Sequence, residues 1–214
     1  DEINILINSL HRHCFRYYKL LPLHGRLSPQ EQAAAFEPCP KHKIIFATRL
    51  AETALTIDNI TTVIDIGYDK EIRYDVSKRM TVTETNWIAK SSAQQRLGRA
   101  GRTCPGVCYR IYTQEQYEAF PDFKVPEIKR TNLDHTILKL KVCGIKDVVN
   151  FDYIQPPEKS SLIEGVENLV VLGALDSKEQ ITDLGRKMAS MPTDPTISRI
   201  LYEGVLRGCE MEVA

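Results

Sequence analysis

Residues 91–110 read SSAQQRLGRAGRTCPGVCYR. Within eight residues this stretch places Gln95 ahead of three arginines, Arg96, Arg99 and Arg102, with glycines between them. The pattern predicts a helix over 91–99 and a strand over 107–112. Guanidinium groups stay charged and fork onto phosphate oxygens, while glycines keep the surrounding surface low. The stretch therefore predicts a phosphate-binding segment between a helix and a strand. The alternative is a solvated basic helix face.

Composition narrows the class of protein. The chain has 214 residues, enough for one or two domains, and 28 basic residues balance 28 acidic ones. Any contact with a nucleic acid must then come from a local groove. No apolar run approaches the length of a membrane span, so no membrane contact is expected. The six cysteines are scattered without a CxxC pair, which favours a reduced, intracellular protein of the nucleus or cytoplasm, with no structural metal.

Helical and extended patterns alternate up to about residue 120. Buried strands are predicted at 18–23, 43–48, 62–66 and 107–112, and helices at 1–16, 28–36, 91–99 and 113–119. Ser28 with Glu31, and Thr113 with Gln116, have the spacing of capping boxes. The first helix begins as if cut from a longer chain. This alternation predicts an α/β fold, with a parallel sheet flanked by helices on both faces.

Two further segments, residues 72–86 and the residues after Pro121, do not follow this alternation of helices and strands. Residues 72–86 predict a projecting β-hairpin whose tip carries Lys78 and Arg79, either a nucleic-acid contact or a plain solvated turn. After Pro121 the chain becomes mostly helical, with helices predicted at 132–143, 162–172 and 184–190 and a short strand at 181–182. One more helix is predicted to start near Pro195 and to continue to the end of the chain.

The polar segment 49–58, RLAETALTID, directly follows a predicted strand. In open α/β sheets ligands bind beside such strand ends. However, the sequence contains no GxxxxGKS or GxxxxGKT loop, and no Asp-Glu pair follows an apolar strand. The chain therefore predicts only half of a nucleotide site. That half would supply arginines reaching across a cleft toward a phosphate chain held elsewhere.

Several segments resemble one family. Residues 95–102, QRLGRAGR, resemble motif VI of superfamily-two helicases, and the flanking residues through Tyr112 narrow the resemblance to DEAH-box RNA helicases. Residues 46–58 resemble the family's motif V, usually ATNIAETSLTID, and residues 22–32 its motif IV region. Residues 126–133, 140–145 and 172–185 resemble its winged-helix domain. The resemblance implies a second RecA-like lobe at 1–122, a winged helix at 123–190 and the start of a helical bundle at 191–214.

The resemblance also implies roles for individual residues. Three would be catalytic: Gln95, which would position the attacking water or the γ-phosphate, and the arginine fingers Arg99 and Arg102. Phe36 and Asp58 would contact the nucleotide. The implied RNA-binding residues are His24, Gly25, Thr48, Arg49, Thr56, Lys78 and Arg79. Two positions depart from the family's motif V: Arg49 stands where Asn is usual, and Ala54 where Ser is usual.

The implied activity is that of an ATP-dependent RNA helicase that remodels RNA or RNA–protein complexes. ATP with Mg²⁺ would bind between this lobe and a first RecA-like lobe absent from the sequence, which would hold most of the Mg²⁺ ligands. Single-stranded RNA would be bound through its backbone, and a protein activator is a further expected partner. Two alternatives stay open: a non-catalytic RNA-binding scaffold derived from a helicase lobe, and a lobe acting on DNA.

Overall fold

The computed structural model describes residues 2–14, 16–53, 56–75, 78 and 80–213. The chain divides into two compact units. The first comprises Asp1–Glu71 and Glu84–Lys124, and the second Ile72–Thr83 and Val125–Ala214. In the described part of the chain, no helix is both long and apolar enough to cross a bilayer.

The first unit follows the predicted alternation of elements. In chain order its first elements are α1 (Glu2–Cys14), β1 (Tyr18–Leu23), α2 (Pro29–Ala33), β2 (His42–Ala47), α3 (Leu50–Thr53) and β3 (Thr62–Asp65). The chain then enters the hairpin strands β4 (Tyr68–Asp75) and β5 (Met80–Trp87), whose segment 72–83 is part of the second unit. The first unit continues with α4 (Lys90–Leu97), β6 (Val107–Arg110) and α5 (Gln114–Ala119). Both predicted capping boxes are present, at Ser28 with Glu31 and at Thr113 with Gln116.

Strands β1, β2, β3 and β6 of the first unit form parallel pairs, as predicted. β1 pairs with β2, with Leu23 opposite Ala47, and β3 pairs with β6, with Asp65 opposite Arg110. In the described residues these parallel strands form two pairs. Hydrophobic patterning indicates which segments are extended, but it does not determine which edges pair, so this pairing was not predictable from the sequence.

Helices pack on the parallel strands of the first unit. Helix α1 packs against β1 and β2, and α4 packs against β3 and β6. Ile88, Ala93 and Phe120 form a buried cluster around the start of α4, with Tyr112 and Tyr117 packed against it. This cluster fixes the beginning of α4, so the segment after the helix, which carries Arg99 and Arg102, starts from a defined position.

The second unit is mostly helical. It contains a short 3-10 helix (Glu127–Lys129), α6 (Asp134–Val142), α7 (Lys159–Val171), α8 (Asp183–Ser190), α9 (Pro195–Arg207) and α10 (Glu210–Val213). Its core is built from apolar side chains of α6, α7, α8 and their connections, including Ile137, Leu169 and Met188. The predicted short strand is seen as an antiparallel bridge between Leu175 and Ile181.

Two details of the second unit extend or correct the predictions. The hairpin segment 72–83 belongs to this unit, and the Tyr74 N–H donates to the Arg130 carbonyl at 2.7 Å. The predicted uninterrupted last helix is wrong, because Gly208 adopts a left-handed conformation (φ 67°) and ends α9. Glycine takes this conformation without steric cost, which makes it a common helix stop.

Candidate phosphate-binding site

The arginine turn, residues 98–102, carries two of the three arginines. Helix α4 ends at Leu97, so Arg99 and Arg102 lie beyond the helix and not on it, which corrects the predicted helix end at 99. Gly98 caps the helix, and Gly101 has a φ of 80°. No atom lies within 4 Å of where a Gly101 side chain would begin, so the surface over the turn is open.

Arg102 is exposed and held at its base and its tip. Its Nε donates to the Gly98 carbonyl at 3.2 Å, and its Nη1 donates to the Thr56 hydroxyl at 2.9 Å. The Nε of Arg99, a half-buried residue, donates to the Gln95 carbonyl at 3.4 Å. Burial and the positive charge of Arg102 lower the pKa of Arg99, and the charge of Glu52 offsets part of this. The turn therefore concentrates positive charge that a polyanion would stabilise.

A second segment, the loop 56–61, runs beside the arginine turn. The Asn59 N–H donates to the Thr103 hydroxyl at 2.8 Å, and the Val107 N–H donates to the Thr61 carbonyl at 2.8 Å. Asp58 is exposed in this loop. The structure thus brings together Arg99, Arg102, Thr56 and Asp58.

A glycine permits this close approach. A Cβ on Gly106 would lie 2.9 Å from both the Ala100 Cβ and the Gly101 backbone nitrogen, and 3.0 Å from the Thr61 carbonyl oxygen. The first two distances are shorter than real Cβ contacts and the third is very tight, so any larger residue at 106 would push the loop and the arginine turn apart.

Four of the other predicted residues gather at the carboxyl ends of β1 and β2. The Thr48 N–H donates to the Leu23 carbonyl at 3.1 Å, so Thr48 and Arg49 lie beside His24 and Gly25. Because parallel strands end at the same sheet edge, this strand-end cluster follows directly from the β1–β2 register. The half-exposed Arg49 side chain lies 3.8 Å from an Asp69 carboxylate oxygen.

The remaining predicted residues lie elsewhere or are not described. Gln95 is exposed on the last turn of α4. Phe36 is 37% exposed in the turn after α2, and among the described residues no hydrogen bond or ring contact joins it to the arginine turn. Lys78, in the hairpin turn of the second unit, pairs with Asp75 at 3.6 Å. Arg79 and Ala54 lie outside the described residues.

Arg96 contradicts the hypothesis that all three arginines face a phosphate chain. Its Nε donates to Glu52 at 2.6 Å, its Nη1 to Asp65 at 2.8 Å and its Nη2 to the Tyr68 carbonyl at 3.2 Å. Burial alone would lower the pKa of Arg96, but the hydrogen bond to Asp65 and the charge of Glu52 raise it. Arg96 is therefore an internal ion-pair residue.

The sequence analysis did not predict that three further residues belong to this internal network around Arg96. Glu52 and Asp65 are both buried, and the Tyr112 hydroxyl donates to the second Asp65 oxygen at 2.8 Å. Burial and this hydrogen bond raise the pKa of Tyr112. One signal was available: an aspartate inside the apolar strand TVIDI must find a partner, since an unpaired buried carboxylate is costly. Breaking such a pair typically costs about 3–5 kcal/mol.

The arginine and threonine side chains of the site are hydrogen-bond donors that suit anions. Among the residues that the structure describes, no three His, Cys, Asp or Glu side chains gather as metal ligands. The arginine turn with its neighbouring hydroxyls instead suits the oxygens of a phosphate chain.

Comparison with known proteins defines the class of protein first. Residues 2–104 match the helicase conserved C-terminal domain, and residues 165–193 match the winged-helix helicase associated domain (HA2). The chain thus carries the C-terminal domain of a helicase, followed by part of its associated winged helix.

Similar proteins narrow this class to one family. The chain is 44% identical to the pre-mRNA-splicing factor ATP-dependent RNA helicase prp22 of Schizosaccharomyces pombe, over 91% of this chain and 17% of that protein. It is 38% identical to the DExH-box ATP-dependent RNA helicase DExH3 of Arabidopsis thaliana, over 98% of this chain and 18% of that protein. The mouse probable ATP-dependent RNA helicase DHX34 is 42% identical, over 86% of this chain and 16% of that protein. The chain belongs to the DEAH/DExH-box helicase family, and it spans less than a fifth of the length of these relatives.

Proposed function

We propose that this chain is the part of an ATP-dependent RNA helicase that supplies arginine fingers to ATP and backbone contacts to RNA. One observation supports this above all. Arg99 and Arg102 lie in an open turn beside the loop that carries Thr56 and Asp58, and their two guanidinium groups concentrate positive charge at this turn. Such a surface suits the charge that develops on a transferring γ-phosphate.

The arrangement favours a site shared with another lobe. The sequence lacks a phosphate-binding P-loop, and the donors at the arginine turn would bind phosphate oxygens but not Mg²⁺. In this proposal a first RecA-like lobe holds ATP and Mg²⁺, and closure brings Arg99 and Arg102 onto the γ-phosphate. Gln95 orients the attacking water, while Asp58 and Phe36 contact the nucleotide. The chain's own contribution is electrostatic and positional.

RNA is proposed to lie across the strand-end cluster. Thr48 offers a hydroxyl, the backbone at His24 and Gly25 is accessible, and Arg49 can exchange its long contact with Asp69 for an RNA phosphate. Lys78 and Arg79 would add charge from the hairpin. Contacts of this kind read the sugar–phosphate backbone, so little sequence preference is expected.

Further parts of the proposal rest on the family. The domains are taken to be a second RecA-like lobe at 1–122, a winged helix at 123–190 and the start of a helical bundle at 191–214. A protein activator and a location in the nucleus or cytoplasm are also proposed, the latter supported by the splicing factor among the relatives.

ATP hydrolysis by the full-length protein tests this proposal against the scaffold alternative. We expect single-stranded RNA to stimulate hydrolysis several-fold, and the 214-residue chain alone to hydrolyse no ATP because half the site is missing. RNA binding by the full-length protein without hydrolysis would support the scaffold instead. Equal stimulation by single-stranded DNA of the same sequence would contradict the choice of RNA, because only contacts to the 2′-hydroxyl distinguish the two.

A further inference from the structure

We propose that Arg96 is a positioning residue that sets the place of the two arginine fingers relative to the strand-end cluster. This inference rests on the proposed function, because it assigns a role within the same hydrolysis reaction. Arg96 precedes Arg99 by three residues, and its guanidinium points into the first unit, away from the open turn.

The contacts of Arg96 join three different elements. Glu52 lies on α3, Asp65 ends β3 and Tyr68 begins β4, and each accepts one hydrogen bond from Arg96. The Arg96 side chain is 15% exposed, and the carboxylate side chains of Glu52 and Asp65 are 6% and 0% exposed. With little water to compete, these charge-assisted bonds fix the end of α4 more firmly than a surface pair would.

The Glu52 contact connects the two halves of the candidate site. Helix α3 follows the strand-end cluster directly, since the Ala51 N–H donates to the Thr48 carbonyl and the Glu52 N–H donates to the Arg49 carbonyl at 2.9 Å. Glu52 therefore lies one helical turn from Thr48 and Arg49. Through Arg96, a movement of this cluster on RNA would be transmitted to the end of α4, where the arginine turn begins.

The Asp65 contact makes this connection rigid. Asp65 also accepts from the Gly67 N–H at 3.0 Å and from the Tyr112 hydroxyl at 2.8 Å, so its carboxylate cannot swing with Arg96. Only a guanidinium provides planar donors in three directions. Lysine would keep the charge but lose this geometry.

Substitution of Arg96 by lysine in the full-length protein tests the proposal. We expect Arg96→Lys to lower the kcat of RNA-stimulated hydrolysis about tenfold or more, because small displacements of catalytic groups are costly. The KM for ATP should change little, because in this proposal Arg96 does not touch the nucleotide. The thermal unfolding temperature should fall, because the buried ion pairs are disturbed, so kcat is compared at a temperature at which both proteins are folded. Glu52→Gln should have a similar effect, and the double variant should lose less than the product of the two single losses.

Controls separate positioning from other roles. Arg207→Lys alters an exposed pair with Glu203 on α9 and should leave kcat unchanged. If Arg96→Lys does not fold, Tyr112→Phe is the second variant, because it removes only the hydroxyl bond to Asp65. It should lower kcat about two- to fivefold, less than Arg96→Lys, because Asp65 still holds Arg96 but less rigidly.

Three results would overturn the proposal. One is a wild-type kcat in folded Arg96→Lys and Glu52→Gln. Another is a raised KM for ATP with unchanged kcat, which would make Arg96 a direct nucleotide contact. The third is a wild-type kcat in Tyr112→Phe where Arg96→Lys does not fold. Absence of RNA-stimulated hydrolysis in the wild-type protein is a different result, since it contradicts the proposed function itself.

Discussion

At the scale of residues, equal spacing does not give equal roles. Arg96, Arg99 and Arg102 are each three positions apart, but Arg96 lies on α4 and the other two follow its end. A helical residue keeps a fixed direction, so Arg96 meets Glu52 and Asp65 inside the unit. The helix ends at Leu97, Gly101 takes a positive φ in the turn that follows, and Arg102 is exposed there.

Thr56 offers a test at the same scale. Its hydroxyl accepts a hydrogen bond from Arg102 at 2.9 Å, although the family resemblance implies an RNA contact. In the full-length protein we expect Thr56→Val to lower the kcat of ATP hydrolysis about three- to tenfold, because Arg102 loses a bond of about 0.7–1.4 kcal/mol that orients it. Thr56→Ser keeps the hydroxyl and serves as the control. An unchanged kcat with a higher RNA concentration for half-maximal stimulation would favour the RNA role instead.

At the scale of elements, close contacts depend on single glycines. Helix α8 of the second unit begins at Asp183 and is capped by the Thr182 side chain, which also donates to the Gly173 carbonyl at 2.7 Å. Gly185 on this helix lies so near the preceding connection that an added Cβ would be 2.1 Å from the Ala174 carbonyl oxygen. The position of α8 against this connection therefore requires glycine at 185.

Gly185→Ala should destabilise the second unit. Because backbone atoms must move to admit the methyl group, we expect the free energy of unfolding to fall by about 2–3 kcal/mol. Urea denaturation followed by circular dichroism measures this change. Gly25→Ala is the matched control, since no atom lies within 4 Å of its Cβ position, and it should change stability by less than about 0.5 kcal/mol. Equal stability of the two variants would show that Gly185 does not lie this close to the Ala174 carbonyl oxygen.

At the scale of the whole molecule, local signals were the most predictable. The β1 strand, both capping boxes and the glycine ends of α6 and α7 follow from short-range chemistry and agree with the predictions. The split into two parallel strand pairs and the inward direction of Arg96 did not follow, because both depend on partners distant in the chain. Arg96 and Glu52 are 44 residues apart, and no local pattern links them.

The candidate site was also predictable only in part. Sequence motifs selected Arg99, Arg102, Thr56 and Asp58, which the structure brings together along adjacent segments. Phe36 was chosen by resemblance alone, and among the described residues no hydrogen bond joins it to the arginine turn. Tertiary pairing decides such questions, and a motif does not contain it.

The central claim is that Arg99 and Arg102 act on a nucleotide that another lobe holds. The most direct measurement is the RNA-stimulated turnover of the full-length protein with Arg99→Ala and with Arg102→Ala, alongside the affinity for a non-hydrolysable ATP analogue. Each substitution should lower turnover at least about a hundredfold, because it removes charge stabilisation in the transition state. Analogue affinity should stay within about tenfold, because the other lobe supplies most of the binding. Turnover close to wild type in both variants would contradict the claim.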